Sequence, residues 1–320
     1  MDARSMEERT KKGAVVKILM VRFSAIGDCV LAGYLAQSIC DSYPNTELHW
    51  MVEDRCSEIV ALMNIGTVHV VPRTQWRKQG DIKTLIPQYK WLKAMKKLHL
   101  DIAIDIQGHS KTAWATRLSG AKKRVSARAT DVIARYLNPI YPGPQIGHEI
   151  DWNFTIAKSV LPQLHSSNSH PLSKNFAHSP VARKISITTG AGHPKKLIPV
   201  MELQRLSSNL TALGYEVTLL GATNDPSFEQ GGVTNLVGKT SLKELVQHVQ
   251  SSELHIAGDT GSGHIAAAVG TPLLTVWGNM PYERYRPVTM RNSVIFNHDS
   301  LNETLTSTAL EMLGGNLSES

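Results

Sequence analysis

Three loops of this chain place glycine beside residues that move protons or bind anions, and each follows a predicted buried strand. In the first, RFSAIGDCVLA, the strand ends at Arg22 and a helix begins near Asp28. Gly27 allows the backbone to turn tightly. Asp28 is either the N-cap of that helix or a general base that accepts a proton from an attacking hydroxyl, and both interpretations remain open.

A second loop, TTGAGHPKK, follows a strand in the other half of the chain. Its small residues Gly190, Ala191 and Gly192 let a nucleotide approach the backbone, and Lys195 or Lys196 is placed to neutralise a leaving diphosphate. The first loop lacks the GxGxxG spacing of a dinucleotide site, which disfavours an NAD-dependent oxidoreductase. No Asp-x-Asp stands in a post-strand loop of the second half, so neither a tightly bound metal nor another cofactor is predicted.

The third loop belongs to ELHIAGDTGSGHIAAAVGTPLLTVWG, where a strand, a glycine-rich turn, a helix and a strand follow in order. The N–H groups of the turn and the helix dipole predict an anion site that fits a diphosphate. Asp259 either caps the helix or binds sugar hydroxyls. His264 either contacts a phosphate or satisfies a backbone carbonyl. The candidate residues are Asp259, Thr260, Gly261, Ser262, Gly263 and His264.

The chain carries 34 Lys and Arg against 27 Asp and Glu, a formal net charge of +7. That balance favours nucleic acid, an anionic membrane surface or a phosphorylated glycolipid as partner. Zinc-finger and RRM signatures are missing, so nucleic acid is the weakest of the three. No apolar run reaches the ~20 residues of a membrane span, and the first fourteen residues lack a signal-peptide core. Three cysteines without ligand spacing complete the prediction of a reduced, cytoplasmic protein.

Short apolar runs alternate with segments of helical period, which is typical of βαβ units with parallel sheets. Residues 161–180, rich in Ser, His, Pro and Asn, interrupt this alternation and are predicted to form an interdomain linker or exposed loop. We therefore expect an α/β protein with two Rossmann-like, doubly wound domains, residues 15–160 and 181–320. The last helix is a candidate to pack back on the first domain. Such sheets bind ligands beyond the carboxyl ends of their strands, so the domains are expected to face each other across a cleft.

The pattern also gives the bounds of individual elements. The predicted strands are 15–22, 47–53, 68–72, 101–106 and 124–127, then 184–189, 215–221, 235–237, 254–257 and 273–277. The predicted helices are 28–42 and 85–98, then 200–213, 241–251 and 263–269.

Together and in this order, the loops resemble family 9 of the glycosyltransferases, the ADP-heptose:lipopolysaccharide heptosyltransferases. The resemblance covers residues 17–277 and rests on four collinear segments with family-like spacing. They are RFSAIGDCVLA, DIAIDIQGHSKTAWATRLSGAKKRVSA, NLVGKTSLKELVQHVQSSELHIAGDTG and GDTGSGHIAAAVGTPLLTVWG.

The resemblance implies a GT-B fold whose N-terminal domain binds the acceptor and whose C-terminal domain binds the ADP-sugar. It implies inverting transfer of heptose from ADP-heptose to the lipopolysaccharide inner core, with Asp28 as catalytic base. The family's phosphate-binding lysine corresponds to Lys196, and its adenine-pocket residue to Thr240. Its Asp-Thr-Gly and following histidine correspond to residues 259–261 and His264.

A basic segment of the N-terminal domain also gains a role from the resemblance. In the family this region lies near the acceptor, whose core sugars and lipid A are phosphorylated, and cationic side chains suit that partner. A solvated surface is the other interpretation of the same residues. A protein with this acceptor is expected in the cytoplasm, in peripheral contact with the inner membrane. The acceptor-binding candidates are Lys111, Arg117, Lys122, Lys123, Arg124 and Arg128.

Three short segments depart from the family pattern. Leu197-Ile198 stands where the family has Trp, 189–191 reads Thr-Gly-Ala instead of Pro-Gly-Ala, and 279–282 reads Asn-Met-Pro-Tyr instead of Pro-Thr-Asp-Pro. These departures leave the sugar and the acceptor open, so a transferase that uses another ADP-sugar is one alternative. A non-catalytic nucleotide-binding protein and a sugar-nucleotide epimerase of the same two-domain build are the others.

Overall fold

The chain folds into two compact units in the computed structural model, one ending at Pro171 and the other beginning at Leu172. The structure describes residues 15–80, 82–127, 130–143, 147–167, 169–278, 281–289, 292–296 and 301–314. None of the helices within these ranges is both long enough and apolar enough to cross a membrane.

The first unit is built on a five-stranded parallel sheet in the order β3-β2-β1-β4-β5. Its strands are β1 (Val16–Val21), β2 (Thr46–Glu53), β3 (Thr67–Val71), β4 (Ile102–Asp105) and β5 (Lys123–Ser126). Its α-helices are α1 (Ile26–Ser42), α2 (Asp54–Met63), α3 (Arg73–Gln79), α4 (Leu85–Ala94), α5 (Ser110–Leu118), α6 (Val132–Leu137) and α7 (Glu149–Lys158). The strand order reverses between β1 and β4, the switch point at which sheets of this kind bind ligands.

Burial explains why β1 and β4 lie at the centre. Every residue of β4 is buried, and so is every residue of β1 except Lys17. Strands covered by helices on both faces must be apolar nearly throughout, and the run VKILMV meets that requirement. The helix that follows β1 carries Val30, Leu31, Leu35 and Ile39, all essentially inaccessible to solvent.

The second unit holds a six-stranded parallel sheet in the order β11-β10-β9-β6-β7-β8. Its strands are β6 (Lys184–Thr188), β7 (Glu216–Leu220), β8 (Val233–Asn235), β9 (Leu254–Gly258), β10 (Leu273–Trp277) and β11 (Asn292–Phe296). Its α-helices are α8 (Val200–Ala212), α9 (Leu242–Gln250), α10 (Gly261–Val269), α11 (Tyr282–Tyr285) and α12 (Leu301–Met312). Here the order reverses between β6 and β9. The prediction of doubly wound α/β domains is confirmed in each unit.

The last helix, α12, packs within the second unit. Its side chains Leu305 and Ala309 belong to the core of the second unit, and Asn209 of α8 donates a hydrogen bond to Thr306 at 3.2 Å. The described side chains of α12 therefore contribute to the core of their own unit, and the suggested packing against the first domain stays a prediction.

The segment 161–180 has no regular helix or strand among its described residues, but it is not simply an exposed loop. Four apolar side chains of the segment are buried, two in each half: Leu161, Leu164, Leu172 and Phe176.

Three cysteines were predicted to be reduced thiols, and none of them forms a disulfide.

A buried polar network in the second unit makes its stability depend on pH. His255, fully buried in β9, bonds the Ser186 hydroxyl through Nδ1 at 2.8 Å, and Ser252 bonds the same hydroxyl at 2.9 Å. Burial lowers the pKa of His255 from 6.5 to about 3.

We expect acid to destabilise this unit through His255. The unfolded chain takes up a proton near pH 6.5 and the folded one only near pH 3, so this contribution is complete above pH 6.5 and is lost progressively below it. The loss reaches about 2 kcal/mol at pH 5. Urea unfolding at pH 7 and pH 5 measures this loss as the difference between the two free energies of unfolding. His255→Asn should remove most of the difference. His165 is exposed, so His165→Asn should keep it. Equal pH dependence in both variants would contradict the assignment.

Candidate active site

Asp28 lies in the first turn of α1, at the carboxyl edge of the first sheet. The helix begins at Ile26 with Ala25 as N-cap, so Asp28 is its third residue and not its N-cap, which corrects the capping interpretation. Its Oδ2 accepts the Ala25 backbone N–H at 3.0 Å. The side chain is 29 % exposed. Alanine offers no capping oxygen, so the carboxylate reaches back to satisfy an N–H group at the start of the helix.

Arg22, which the sequence analysis did not single out, positions Asp28. Its guanidinium is buried directly after β1 and forms an ion pair with Asp28 (Nη2 to Oδ2, 2.8 Å) and a longer one with Glu149 of α7 (Nη1 to Oε1, 3.4 Å). Nη1 also donates to the Ile106 carbonyl at 3.1 Å. Burial alone would lower the pKa of Arg22, but the two carboxylates outweigh it and raise that pKa. The charge stays, and it favours the ionised form of Asp28.

The loop after β4 braces the same edge. Gln107 Oε1 accepts the Phe23 backbone N–H at 2.8 Å. Asp105 is fully buried and accepts N–H bonds from Gln107 and Gly108 at 3.0 Å and the Ser126 hydroxyl at 2.9 Å. Burial raises the pKa of Asp105, and its hydrogen bonds oppose that shift. Its part is to hold the loop beside Arg22, not to act on a ligand.

In the second unit the glycine-rich turn follows β9 as predicted, and α10 begins at Gly261. Thr260 is the N-cap, and its hydroxyl lies 2.9 Å from that of Ser262. Ser262 and His264 are each 7 % exposed, and Gly263 is buried between them. The backbone N–H groups and dipole of α10 make this end of the helix attractive to an anion.

Lys196 and Asp259 come together at the switch point of the second sheet. Lys196 ends a short 3₁₀ turn in the loop after β6, and its Nζ lies 2.6 Å from Asp259 Oδ2. The lysine side chain is 25 % exposed and the aspartate 7 %. The N-cap of α10 is Thr260 and not Asp259, so the capping interpretation of Asp259 is wrong, and its binding of sugar hydroxyls stays a prediction. In the structure Asp259 holds the Lys196 ammonium.

The other donor candidates lie on the same edge of the sheet but not all close together. Gly190 to Gly192 belong to the β6 loop that carries Lys196, whereas Thr240 follows β8, two strands beyond β6. Gly190 has an internal reason to be glycine, since a Cβ there would stand 1.8 Å from Asp225 Oδ2. Among the described residues other than its chain neighbours, none has an atom within 4 Å of a Cβ built on Gly192.

The acceptor candidates divide between the two ends of the first sheet. Lys111 is at the start of α5, on the Asp28 edge, and Arg117 is six residues further along the exposed side of the helix, about 9 Å away. The remaining described candidates precede or begin β5 and so lie at the amino ends of the strands; Lys122 pairs with Asp101 there at 2.8 Å. The structure thus brings Lys111 to the Asp28 edge and does not bring Lys122, Lys123 or Arg124. Arg128, like residues 279 and 280, lies outside the described residues.

Across the described parts of the chain, no group of three or more His, Cys, Asp or Glu side chains is placed to hold a metal ion.

The family model for glycosyltransferase family 9 (heptosyltransferase) matches residues 88–312, more than two thirds of the chain. The chain belongs to glycosyltransferase family 9. Membership confirms the predicted resemblance and makes the chain a transferase. Lipopolysaccharide heptosyltransferase 3 of Escherichia coli is 35 % identical over 290 residues, 82 % of this chain and 83 % of that protein. Lipopolysaccharide heptosyltransferase 1 of Pseudomonas aeruginosa is 24 % identical over 283 residues, 82 % and 79 % of the two chains.

Solved structures of the family share the fold of this member. E. coli heptosyltransferase WaaC with ADP superposes with a TM-score of 0.77 at 19 % identity, covering 93 % of this chain and 98 % of its own. E. coli ADP-heptose lps heptosyltransferase II gives 0.73 at 21 % identity with the same coverage. The likeness spans both units and confirms the predicted GT-B class of fold for this family 9 glycosyltransferase.

Gly258 offers a steric test of the Lys196 loop in this enzyme. A Cβ at Gly258 would stand 2.5 Å from the Lys196 carbonyl oxygen, closer than packed atoms allow, so the loop must shift. Because a misplacement near 1 Å costs up to 10²-fold, we expect Gly258→Ala to lower kcat/KM roughly ten- to a hundredfold. Gly231→Ala is the matched control, because its Cβ would have no atom of another described residue within 4 Å apart from its chain neighbours. Unchanged kinetics in Gly258→Ala would show that the loop tolerates displacement.

Proposed function

We propose that the chain transfers heptose from ADP-heptose to the lipopolysaccharide inner core, with inversion at the anomeric carbon. The observation that carries this is the 35 % identity, over 82 % of the chain, to lipopolysaccharide heptosyltransferase 3 of E. coli. The chemistry of both loops supports it, because one supplies a carboxylate on a helix turn and the other a cation at a helix N-terminus. A second alternative is transfer from another ADP-sugar. The departures from the family pattern at Leu197 and Ile198 are the reason to test other donors.

In the proposed reaction Asp28 removes the proton from the acceptor hydroxyl as the oxygen attacks the anomeric carbon. The bond between that carbon and the diphosphate oxygen breaks on the opposite face, and ADP leaves with the electron pair. Arg22 keeps the carboxylate ionised and aligned before the reaction, so no reorganisation is needed when charge develops.

Lys196 and the N-terminus of α10 are proposed to stabilise the departing ADP. Negative charge grows on the bridging oxygen as the glycosidic bond breaks, so donors fixed at this place act most strongly in the transition state. Asp259 keeps Lys196 in place, since a lysine paired at 2.6 Å loses much of its side-chain freedom before the donor arrives. His264 and the hydroxyls of Thr260 and Ser262 are the further donor-binding candidates, and Thr240 is proposed for the adenine.

Neither a metal nor another cofactor is needed in this proposal, because Lys196 and the helix N-terminus supply the positive charge. The acceptor is proposed to be the phosphorylated core on lipid A, and the enzyme to work at the inner membrane surface. Lys111 is the acceptor candidate that shares an edge with Asp28.

ADP release from a panel of nucleotide sugars, with and without truncated lipopolysaccharide, tests the proposal. We expect release from ADP-heptose only when acceptor is present. Conversion of the donor without acceptor would indicate an epimerase or a hydrolase, and preference for another ADP-sugar would select the second alternative. Tight ADP binding without turnover on any donor would point to a non-catalytic binding protein.

A further inference from the structure

A cavity of about 300 Å³ opens in the first unit beside the carboxyl edge of its sheet, among α3, α4 and α5. Its walls are mainly apolar and include Phe23, Trp76, Leu92 and Trp114. Pockets of this size with few polar groups bind small ligands or parts of larger ones. None of the steps proposed for the transfer uses these aromatic side chains.

One wall of this cavity is a buried cation. Arg73, the first residue of α3, is only 4 % exposed, and its Nη1 donates to Gln88 Oε1 at a long 3.4 Å. Within the described part of the chain, its Nε and Nη2 have no hydrogen-bond partner. A buried guanidinium with unused donors is costly unless an anion completes it. The unused donors of Arg73 therefore favour the binding of an anionic group in this otherwise apolar pocket. Lys111 is a second cation among the lining residues.

The rim of the pocket is apolar and exposed, which is unusual for surface helices. We call Leu85, Ile86, Tyr89, Trp114, Ile133 and Tyr136 the apolar rim; four of them line the pocket, and Ile86 and Tyr136 are exposed on the same helices as Leu85 and Ile133. These side chains are between 45 % and 80 % exposed and come from α4, α5 and α6. Large apolar side chains gathered on one surface mark an interaction site. Helix α4 adds Lys90 and Lys93 beside them, a combination found where helices lie in a membrane interface.

Charge along the sequence favours the same partner. Residues 73–137, which contain α3 to α6, carry fifteen Lys and Arg against four Asp and no Glu. Their net charge of +11 exceeds the +7 of the whole chain, so the rest of the chain carries −4. Each basic residue near an anionic lipid surface contributes about 1 kcal/mol. Lys122 to Arg124 lie at the amino ends of the strands and do not count toward the surface around the pocket.

We propose that this pocket binds a phosphate-bearing lipid. Arg73 bonds the phosphate, the aromatic walls cover the adjoining apolar part, and the apolar rim lies in the lipid interface. The inference goes beyond the proposed transfer and does not require it, since the pocket and its cation are independent of Asp28 and Lys196. A membrane phospholipid and the lipid portion of a glycolipid acceptor share this chemistry.

Short-chain lipids test the pocket directly, with intrinsic tryptophan fluorescence as the signal because Trp76 and Trp114 line it. Dihexanoyl phosphatidate should bind, and inorganic phosphate and dihexanoylglycerol should each bind at least tenfold more weakly. Losing hydrogen bonds to a charged group should cost Arg73→Gln roughly ten- to a hundredfold in phosphatidate affinity. Dihexanoylglycerol binding should not change. Equal phosphatidate affinity in Arg73→Gln and the parent protein would overturn the proposal.

Because Arg73 is buried, a second variant guards against misfolding. The double substitution Ile86→Ser/Tyr89→Ser changes two exposed rim residues. It should reduce sedimentation with vesicles containing phosphatidylglycerol by at least tenfold. Met201→Ser/Leu213→Ser removes two exposed apolar residues from the other unit and should leave sedimentation unchanged. Equal losses of vesicle sedimentation in both double variants would show non-specific hydrophobic adsorption and contradict a defined lipid-binding surface.

The two lipid sources give different results in the transfer assay, which alone depends on the proposed function. If the pocket holds the acceptor's lipid, Arg73→Gln should raise KM for an acylated acceptor in detergent and leave KM for a deacylated one unchanged. If it holds bilayer phospholipid, both KM values should stay and only vesicle binding should fall. Both results support a phosphate-bearing lipid. The proposal is refuted if Arg73→Gln changes neither the KM for the acylated acceptor nor vesicle binding, and phosphatidate binding is also intact.

Discussion

Asp28→Asn is expected to lower the rate of sugar transfer by roughly 10²- to 10⁴-fold, the range over which general bases contribute. The asparagine side chain can still accept the Ala25 N–H, so α1 should keep its start, but it cannot take a proton. The affinity for ADP should not change, since the donor candidates are in the second unit. Steady-state kinetics and ADP titration by calorimetry measure the two quantities.

The control is Asp41→Asn, at the other end of the same helix, where the carboxylate accepts Gln37 Nε2 at 2.7 Å. It should keep nearly full activity. Asp28→Asn also removes a partner from the buried Arg22, although Glu149 and the Ile106 carbonyl remain. A loss of about 1–3 kcal/mol in stability is therefore expected and should be measured beside the rate. An Asp28→Asn enzyme that keeps a tenth of its activity would exclude the carboxylate as base.

Lys196→Met is expected to lower kcat by about 10²- to 10³-fold, because it removes a fixed cation from the place where charge develops on ADP. It should also destabilise the second unit, since Asp259 is left buried without its ion partner. Breaking a buried pair costs about 3–5 kcal/mol, and the partial exposure of Lys196 puts this case at the lower end or below.

A double variant separates the two effects. Lys196→Met/Asp259→Asn removes both charges, so stability should largely return while kcat stays low. Lys239→Gln, which removes an exposed lysine bonded to a backbone carbonyl in the same unit, is the control and should change neither quantity. If the double variant recovered activity along with stability, the role of Lys196 in the reaction would be structural only.

Ten of the eleven strands that the structure describes were predicted near their positions, because apolar runs between helical segments are a clear signal in parallel sheets; β11 was not predicted. The predicted strand 254–257 and helix 263–269 match β9 and α10 to within two residues at each bound. The start of α1 was placed two residues late, because Ala25 gives no capping signal and the carboxylate that satisfies the helix start is inside it. The prediction for β8 was shifted, since its short VTN core is only partly buried and has little pattern.

The site was predicted in part for a different reason. Residues directly after strands were identified correctly as the carboxyl edge, which is where Asp28, Lys196 and Asp259 lie. The same rule, applied to residues that precede β5, would have placed Lys122 to Arg124 at the opposite edge. The ion pairs between residues far apart in the chain could not be predicted, because the sequence does not show that Arg22 contacts Glu149 or that Lys196 contacts Asp259. An arginine closing an apolar strand was the available signal for Arg22.

The uneven charge of the chain has a kinetic consequence. Residues 73–137 carry +11 and the remainder of the chain −4, so the positive charge is concentrated in the first unit. If the enzyme works at an anionic surface, as proposed, attraction of these basic residues would turn the first unit toward that surface before contact. That orientation acts within a Debye length, about 8 Å in physiological salt. Raising the ionic strength should therefore slow productive encounter with the surface well before it weakens any contact made afterwards.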